Sequence, residues 1–233
     1  MSHEQCQVRN QALRTFLAGK RSFRIFGITI TIRHAHDNEY QVLLPDEDEI
    51  IGARLTGLTL DHEDLHGVEF RQCILERCTL RNCDLRGAGF VDVTLDHCDL
   101  AGARLERAAL IRCELTACRL TGADMIDAVL RHAVIRDGSA DFLNIAHAKL
   151  DTVSFTGTSM KEATFSSVAM KRVTMDGCRF DRATFHQTPM KGMDMTGNDL
   201  HGISIGFSDL RGMIVTEEQA AELALLLGLE IRR

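Results

Sequence analysis

From Leu55 to Leu210 every fifth residue is apolar, and Ala140 is the one small member of the series. A helix returns its apolar face every 3.6 residues and a half-buried strand every two, so neither keeps this series on one buried surface. Two places before each member runs a second series of mostly small residues. It includes Ala53, Val68, Cys73, Cys83, Ala103 and Ala183, with Glu63 and Asn198 as its clearest exceptions. A chain that turns a corner every five residues closes a square coil in twenty, and both series then line the axis while the other three positions face water. Burying each large side chain contributes about 1.5–3 kcal/mol. Core packing therefore accounts for these residues without invoking a site.

The segments Ala103-Arg104-Leu105, Ala123-Asp124-Met125 and Cys83-Asp84-Leu85-Arg86-Gly87 resemble the pentapeptide-repeat family, whose pattern is a small residue, a polar residue, Leu or Phe, and two variable residues. The resemblance covers about residues 53 to 213. It implies an all-β fold, a right-handed quadrilateral β-helix of about eight coils, which at about 4.8 Å per coil makes a rod about 38 Å long. The expected organisation is a non-repeat N-terminal cap over 1–51, the β-helix over 52–214 and a C-terminal helix over 215–233.

Both ends read as covers for the exposed backbone edges of a stack of coils. In residues 1–51, Val8, Ala12, Leu13, Phe16 and Leu17 predict a short helix and Phe23–Ile32 a strand. His34–Asn38 then turns the chain toward a second strand, Tyr40–Leu44, and Pro45 with Asp46-Glu47-Asp48-Glu49 forms an acidic linker. The result is a small α+β cap, or alternatively a targeting or partner-specific module. At the other end Thr216 with Gln219 reads as a capping box, Glu217 and Glu218 suit the helix dipole, and Gly228 suits the stop. Ala220, Leu223, Leu226 and Leu227 share an apolar face. The tail resembles the helix that ends the topoisomerase-protecting members of the family, where it makes a two-fold dimer; the alternative is an end cap folded onto its own last coil.

Hydrophobic content of 45% indicates a folded chain. No run of 18 apolar residues predicts a membrane span, and no apolar stretch before a small-residue cleavage site predicts a secretory signal. A bacterial cytoplasm is the expected compartment, with export by another route left open. Of eight cysteines, seven (Cys73, Cys78, Cys83, Cys98, Cys113, Cys118 and Cys178) occupy the small inward position, and Cys6 stands outside the array. They read as reduced apolar filler, with Cys78, Cys98 and Cys118 stacked on one side. No CxxC pair supports zinc.

Catalytic machinery is absent from the pattern. His34-Ala35-His36-Asp37 is the one local cluster with metal-ligand character and reads as an exposed turn. The other histidines, among them His62, His97, His132 and His201, fall mostly on outward positions, and the glycines mark corners. No catalytic, cofactor or metal residues are expected, and the chain reads as a non-enzymatic protein-binding scaffold. Sorting outward residues by side leaves one basic stripe: Arg71, Arg112, Arg131, Lys149, Lys171, Arg172, Lys191 and Arg211. The family resemblance implies DNA gyrase or topoisomerase IV as partner, bound by DNA mimicry with protection from quinolone-type poisons. The net charge of −6 and the basic side make this chain a weaker acidic mimic than that reading requires. The other reading is a scaffold for a regulatory or host protein, recognised through the N-terminal cap or the stripe. Interspersed acids and the net negative charge argue against a sequence-specific nucleic-acid reader.

Overall fold

The computed structural model describes residues 49–226 and 228–230, and the backbone of 24–25, 28–29, 31–34 and 40–43. The helix expected over Val8–Leu17 and most of the His34–Asp37 cluster lie outside the described residues. Parallel pairing repeats every twenty residues: Leu95 lies between Leu75 and Leu115, and Leu110 between Phe90 and Leu130. Leu80, Leu100 and Leu120 form one vertical column, tied by bridges at Thr79, Asp99 and Arg119. The chain therefore winds into a four-sided β-helix of about eight coils at the inter-strand spacing. Its sides are named first to fourth after the columns of Leu55, Leu60, Leu65 and Phe70.

The periodicity acts through the corners. Two residues after nearly every large inward residue the backbone enters the left-handed region, from Gly52 at φ 65 to Gly212 at φ 77. Many of these corners are not glycine: Asn82, Asp92, Asp127, Arg77 and even Ala117 hold the same conformation. Asn and Asp tolerate it best among residues with side chains, whereas the others hold it because the coils above and below fix the turn. At Gln72, for example, the N–H donates to the carbonyl of Val91 one coil later.

The interior is one continuous core from Ile50 to Ile203, with Leu223 joined to it. Ile50 pairs with Phe70 in register, so the first rung takes in residues that the sequence reading placed in the N-terminal segment. Near the other end Phe165, Phe180 and Phe185 form an aromatic cluster; the Phe165 and Phe185 rings stack with centroids 4.9 Å apart. Ala140 leaves its column short. Leu143, at a position that mostly holds a small residue, is buried beside it and lines a small apolar void together with Leu120, Ile135, Ile145 and Phe155. The register runs through this stretch unbroken, from Arg119 to Ser139 to Ser159, so Ala140 and Leu143 repack the core without bending the rod.

The small inward column follows a rule beyond size. Cys73, Cys78, Cys83, Cys98, Cys113 and Cys118 each place Sγ against the carbonyl of the large residue 23 positions earlier, as in Cys98 to Leu75 at 3.3 Å and Cys83 to Leu60 at 2.7 Å. Thr188 Oγ1 donates to Phe165 O at 2.7 Å, and Asn198 Nδ2 to Met175 O at 2.9 Å, at the same separation. Asn198 is thus no exception: it is a small side chain with a donor aimed at the coil beneath. Burial pushes the Cys83 and Cys113 thiols up to about 11. Protonated, buried thiols are poor nucleophiles. Iodoacetamide treatment of the folded protein is expected to leave all seven array cysteines unmodified by mass spectrometry, and to modify all seven in guanidinium.

One departure from the sequence reading concerns strands. Phe23–Ile32 is not one strand: Arg24–Ile25 pairs antiparallel with Ile28–Thr29, and Thr31–His34 pairs separately with Tyr40–Leu43. Alternating isoleucines suggested continuity; Gly27, a residue suited to chain reversal, was the contrary signal. On the fourth side the strand series ends at Ala169–Asp176, where Pro189 in the next coil has no N–H to donate.

Candidate functional site

Every inward position is committed to packing, so the side chains free to act are those on the outer surface. Among the described residues no group of three His, Cys, Asp or Glu is placed to hold a metal, and no helix is long and apolar enough to cross a membrane. Among the outward histidines, His97 Nδ1 lies 2.9 Å from Asp96 Oδ1 and His201 Nδ1 4.0 Å from a Glu222 carboxylate oxygen.

The outer charges are organised by the coil repeat. Arg81 meets Asp61 at 2.5 Å, Arg112 meets Asp92 at 2.5 Å and Arg182 meets Glu162 at 2.6 Å, each twenty residues apart and so one coil apart. Arg54 with Glu76, Arg136 with Glu114 and Arg71 with Glu49 bridge coils at a spacing of 22. These are the solenoid's form of cross-strand charge pairs. Within one coil, hydrogen bonds from Arg86 hold the Asp84 carboxyl down to about 2. Most of these groups are exposed, so each pair adds little stability. Their larger effect is to neutralise the surface locally.

The pairing divides the predicted basic stripe. Arg71 is neutralised by Glu49 and Glu69, and Arg112 by Asp92. Further along, Asp151 serves both Arg172 and, at 3.7 Å, Lys171. Arg131, Lys149, Lys191 and Arg211 have no ion pair among the described residues. All eight stripe residues are exposed, but positive charge is in excess only from Arg131 onward.

The C-terminal helix, Glu217–Leu225, carries the expected capping box: Thr216 accepts from the Gln219 N–H while the Gln219 side chain accepts from the Thr216 N–H. Gln219 Nε2 also donates to Met195 O at 2.9 Å and Asn198 O at 2.7 Å. One side chain thus caps the helix and satisfies the last coil's carbonyls, a role the sequence did not reveal. Leu223 is only 8% exposed because it turns into the last coil. Of the predicted interface residues, Ala220 and Leu226 remain exposed and Leu227 lies outside the described residues. Phe207, Ile214, Leu225 and Leu229, in the same C-terminal stretch of sequence, are exposed as well.

Family models for a pentapeptide repeat region match residues 88–165, for nine pentapeptide copies residues 150–194, and for eight copies residues 50–87 and 64–100. No curated protein matches the chain significantly. Among solved structures, QnrB1, described as a plasmid-mediated fluoroquinolone resistance protein, is 18% identical, with 79% of this chain and 100% of that chain covered and a TM-score of 0.37. HetL, a pentapeptide repeat protein involved in heterocyst differentiation regulation from the cyanobacterium Nostoc, is 20% identical over 88% of this chain and 95% of that one, with a TM-score of 0.33. A pentapeptide repeat protein of the Arabidopsis thaliana thylakoid lumen is 20% identical over 54% and 70%, with a TM-score of 0.18. Matched from residue 50 to residue 194 by successive repeat models, and closed every twenty residues by the same parallel pairing, the chain belongs to the pentapeptide-repeat family.

Proposed function

We propose that the protein is a non-enzymatic scaffold that binds a protein partner through its outward ladders and pairs with a second copy through its C-terminal end. The observation that carries the reading is the distribution of exposed apolar side chains. Among the described residues, five of the nine large ones, Phe207, Ile214, Leu225, Leu226 and Leu229, fall in the last 27 positions of the chain, while the rest are scattered singly along the rod. Exposed apolar clusters mark association surfaces, and a two-fold contact sets the same patch against itself. The wild-type chain is expected to sediment as a dimer at tens of micromolar, and Ile214→Asp with Leu226→Asp as a folded monomer. A monomeric wild type would overturn the dimer.

Gyrase or topoisomerase IV is the partner class that the family resemblance brings to this scaffold. The unbroken rod supports it by shape; the coil-to-coil neutralisation of acids by arginines works against charge mimicry. A supercoiling assay with purified gyrase is expected to show inhibition or relief of quinolone poisoning at micromolar protein. No effect at tens of micromolar would remove topoisomerase and leave the scaffold, whose partner an affinity capture from the native cell would then seek. Residues 1–51 are the other recognition element in this reading, and deletion of 1–45 tests them by loss of the captured partner.

A further inference from the structure

Arg54, Arg71, Arg81, Arg104, Arg112, Arg136 and Arg182 each meet an acid one coil away, but the fourth side between Arg131 and Arg211 carries more cations than acids. Six exposed cations, Arg131, Lys149, Lys171, Arg172, Lys191 and Arg211, face two carboxylates there. Asp151 is engaged by Lys171 and Arg172, and Asp209 is only 7% exposed. Like charges stacked on adjacent strands of a sheet are destabilising. The fold therefore gains nothing from this excess, and packing does not require it, because every one of these side chains points outward.

We propose that this surface docks a carboxylate-rich polypeptide segment of the partner, a proposal that rests on the scaffold reading and names the partner's chemistry. Arg131, Asp151 and Lys171 lie in register on consecutive strands, so Arg131 and Lys171 stand two inter-strand steps apart, about 9.6 Å, with Asp151 between them, and Lys191 and Arg211 follow at the same twenty-residue spacing with no acid in between. An extended peptide laid along the column places its alternate residues about 7 Å apart, within reach of long, flexible lysine and arginine side chains. The width of one side suits a single strand of peptide. A nucleic acid fits less well: the outward positions from Val129 to Arg211 on this side hold no Phe, Tyr or Trp for base stacking. A duplex, being wider, would also meet the acids of neighbouring sides, in a chain of net charge −6.

The test uses the full chain and a fluorescein-labelled octaglutamate peptide, with an oligothymidylate of equal charge as competitor class, at about 25 mM salt where surface charge is least screened. Octaglutamate is expected to bind, to weaken with added salt, and to bind at least about tenfold more weakly to Lys171→Glu with Lys191→Glu. Arg81→Glu with Arg182→Glu changes the net charge equally on other parts of the surface and is expected to leave most of the binding. Circular dichroism and melting show that both variants keep the solenoid. The proposal is overturned if the oligothymidylate binds as tightly as the peptide, if the two double variants weaken binding equally, or if no anisotropy change occurs up to about 0.5 mM protein. A native partner still captured by the Lys171→Glu, Lys191→Glu protein would sink this docking surface while leaving the scaffold standing.

Discussion

Phe165→Ala is expected to destabilise the rod by about 3–5 kcal/mol, the usual range for emptying a buried aromatic site. Loss of the ring contacts adds to that about 0.5–1.5 kcal/mol. Phe165 is fully buried, stacks on Phe185 and meets Phe180 edge-on at 6.0 Å. Its column passes through successive coils, so no neighbouring loop can collapse into the cavity. For a chain of this size each kcal/mol moves the melting point by about 2–4 °C, which predicts a fall of roughly 10 °C or more. The damage should also be local. Each coil contacts only its neighbours, so hydrogen exchange is expected to accelerate most over the coils from Ile145 to Ile205 while those around Leu75 and Leu95 keep their protection. Uniform acceleration along the whole array would show that the solenoid unfolds as one unit and would contradict the nearest-neighbour account.

The second large effect is expected at Gly138. A Cβ built there would sit 2.6 Å from the backbone carbonyl oxygen of Cys118, and backbone cannot rotate away as a side chain can. Gly138→Ala therefore forces two coils apart and is expected to cost about 2–3 kcal/mol, in the range of overpacked cores. Gly122→Ala makes the informative contrast. Gly122 has a φ of +66 with nothing within 4 Å of the added atom, so its cost is conformational alone, about 1 kcal/mol. Ala117 already occupies an equivalent corner at φ 51. Urea denaturation of the two variants separates the mechanisms. Equal shifts would mean that the coil spacing at Gly138 is softer than the geometry shows.

Much of the architecture was legible because the five-residue period leaves few ways to bury its apolar members. The square coil, the inward cysteines and the capping box at Thr216 and Gln219 were each read from spacing or from short-range chemistry. Features that depend on contacts between coils were less accessible. Asn198 looked like a defect in the small column until its amide was seen to reach Met175 O. Leu223 looked like an interface residue until the helix turned it into the last coil. The basic stripe was a sum over one side, and a sum cannot show which arginine has an acid beside it.

The sequence by itself determined the coil, its register and its filling, because burying one large and one small side chain per corner is a local requirement repeated many times. Only the tertiary structure decided where charge is neutralised and where it is left in excess, which leucines of the last helix face the rod, and how Ala140 and Leu143 share one volume. Those outcomes depend on distances between residues twenty or more positions apart, set by the stacking of coils and not by any spacing that a reading along the chain can measure.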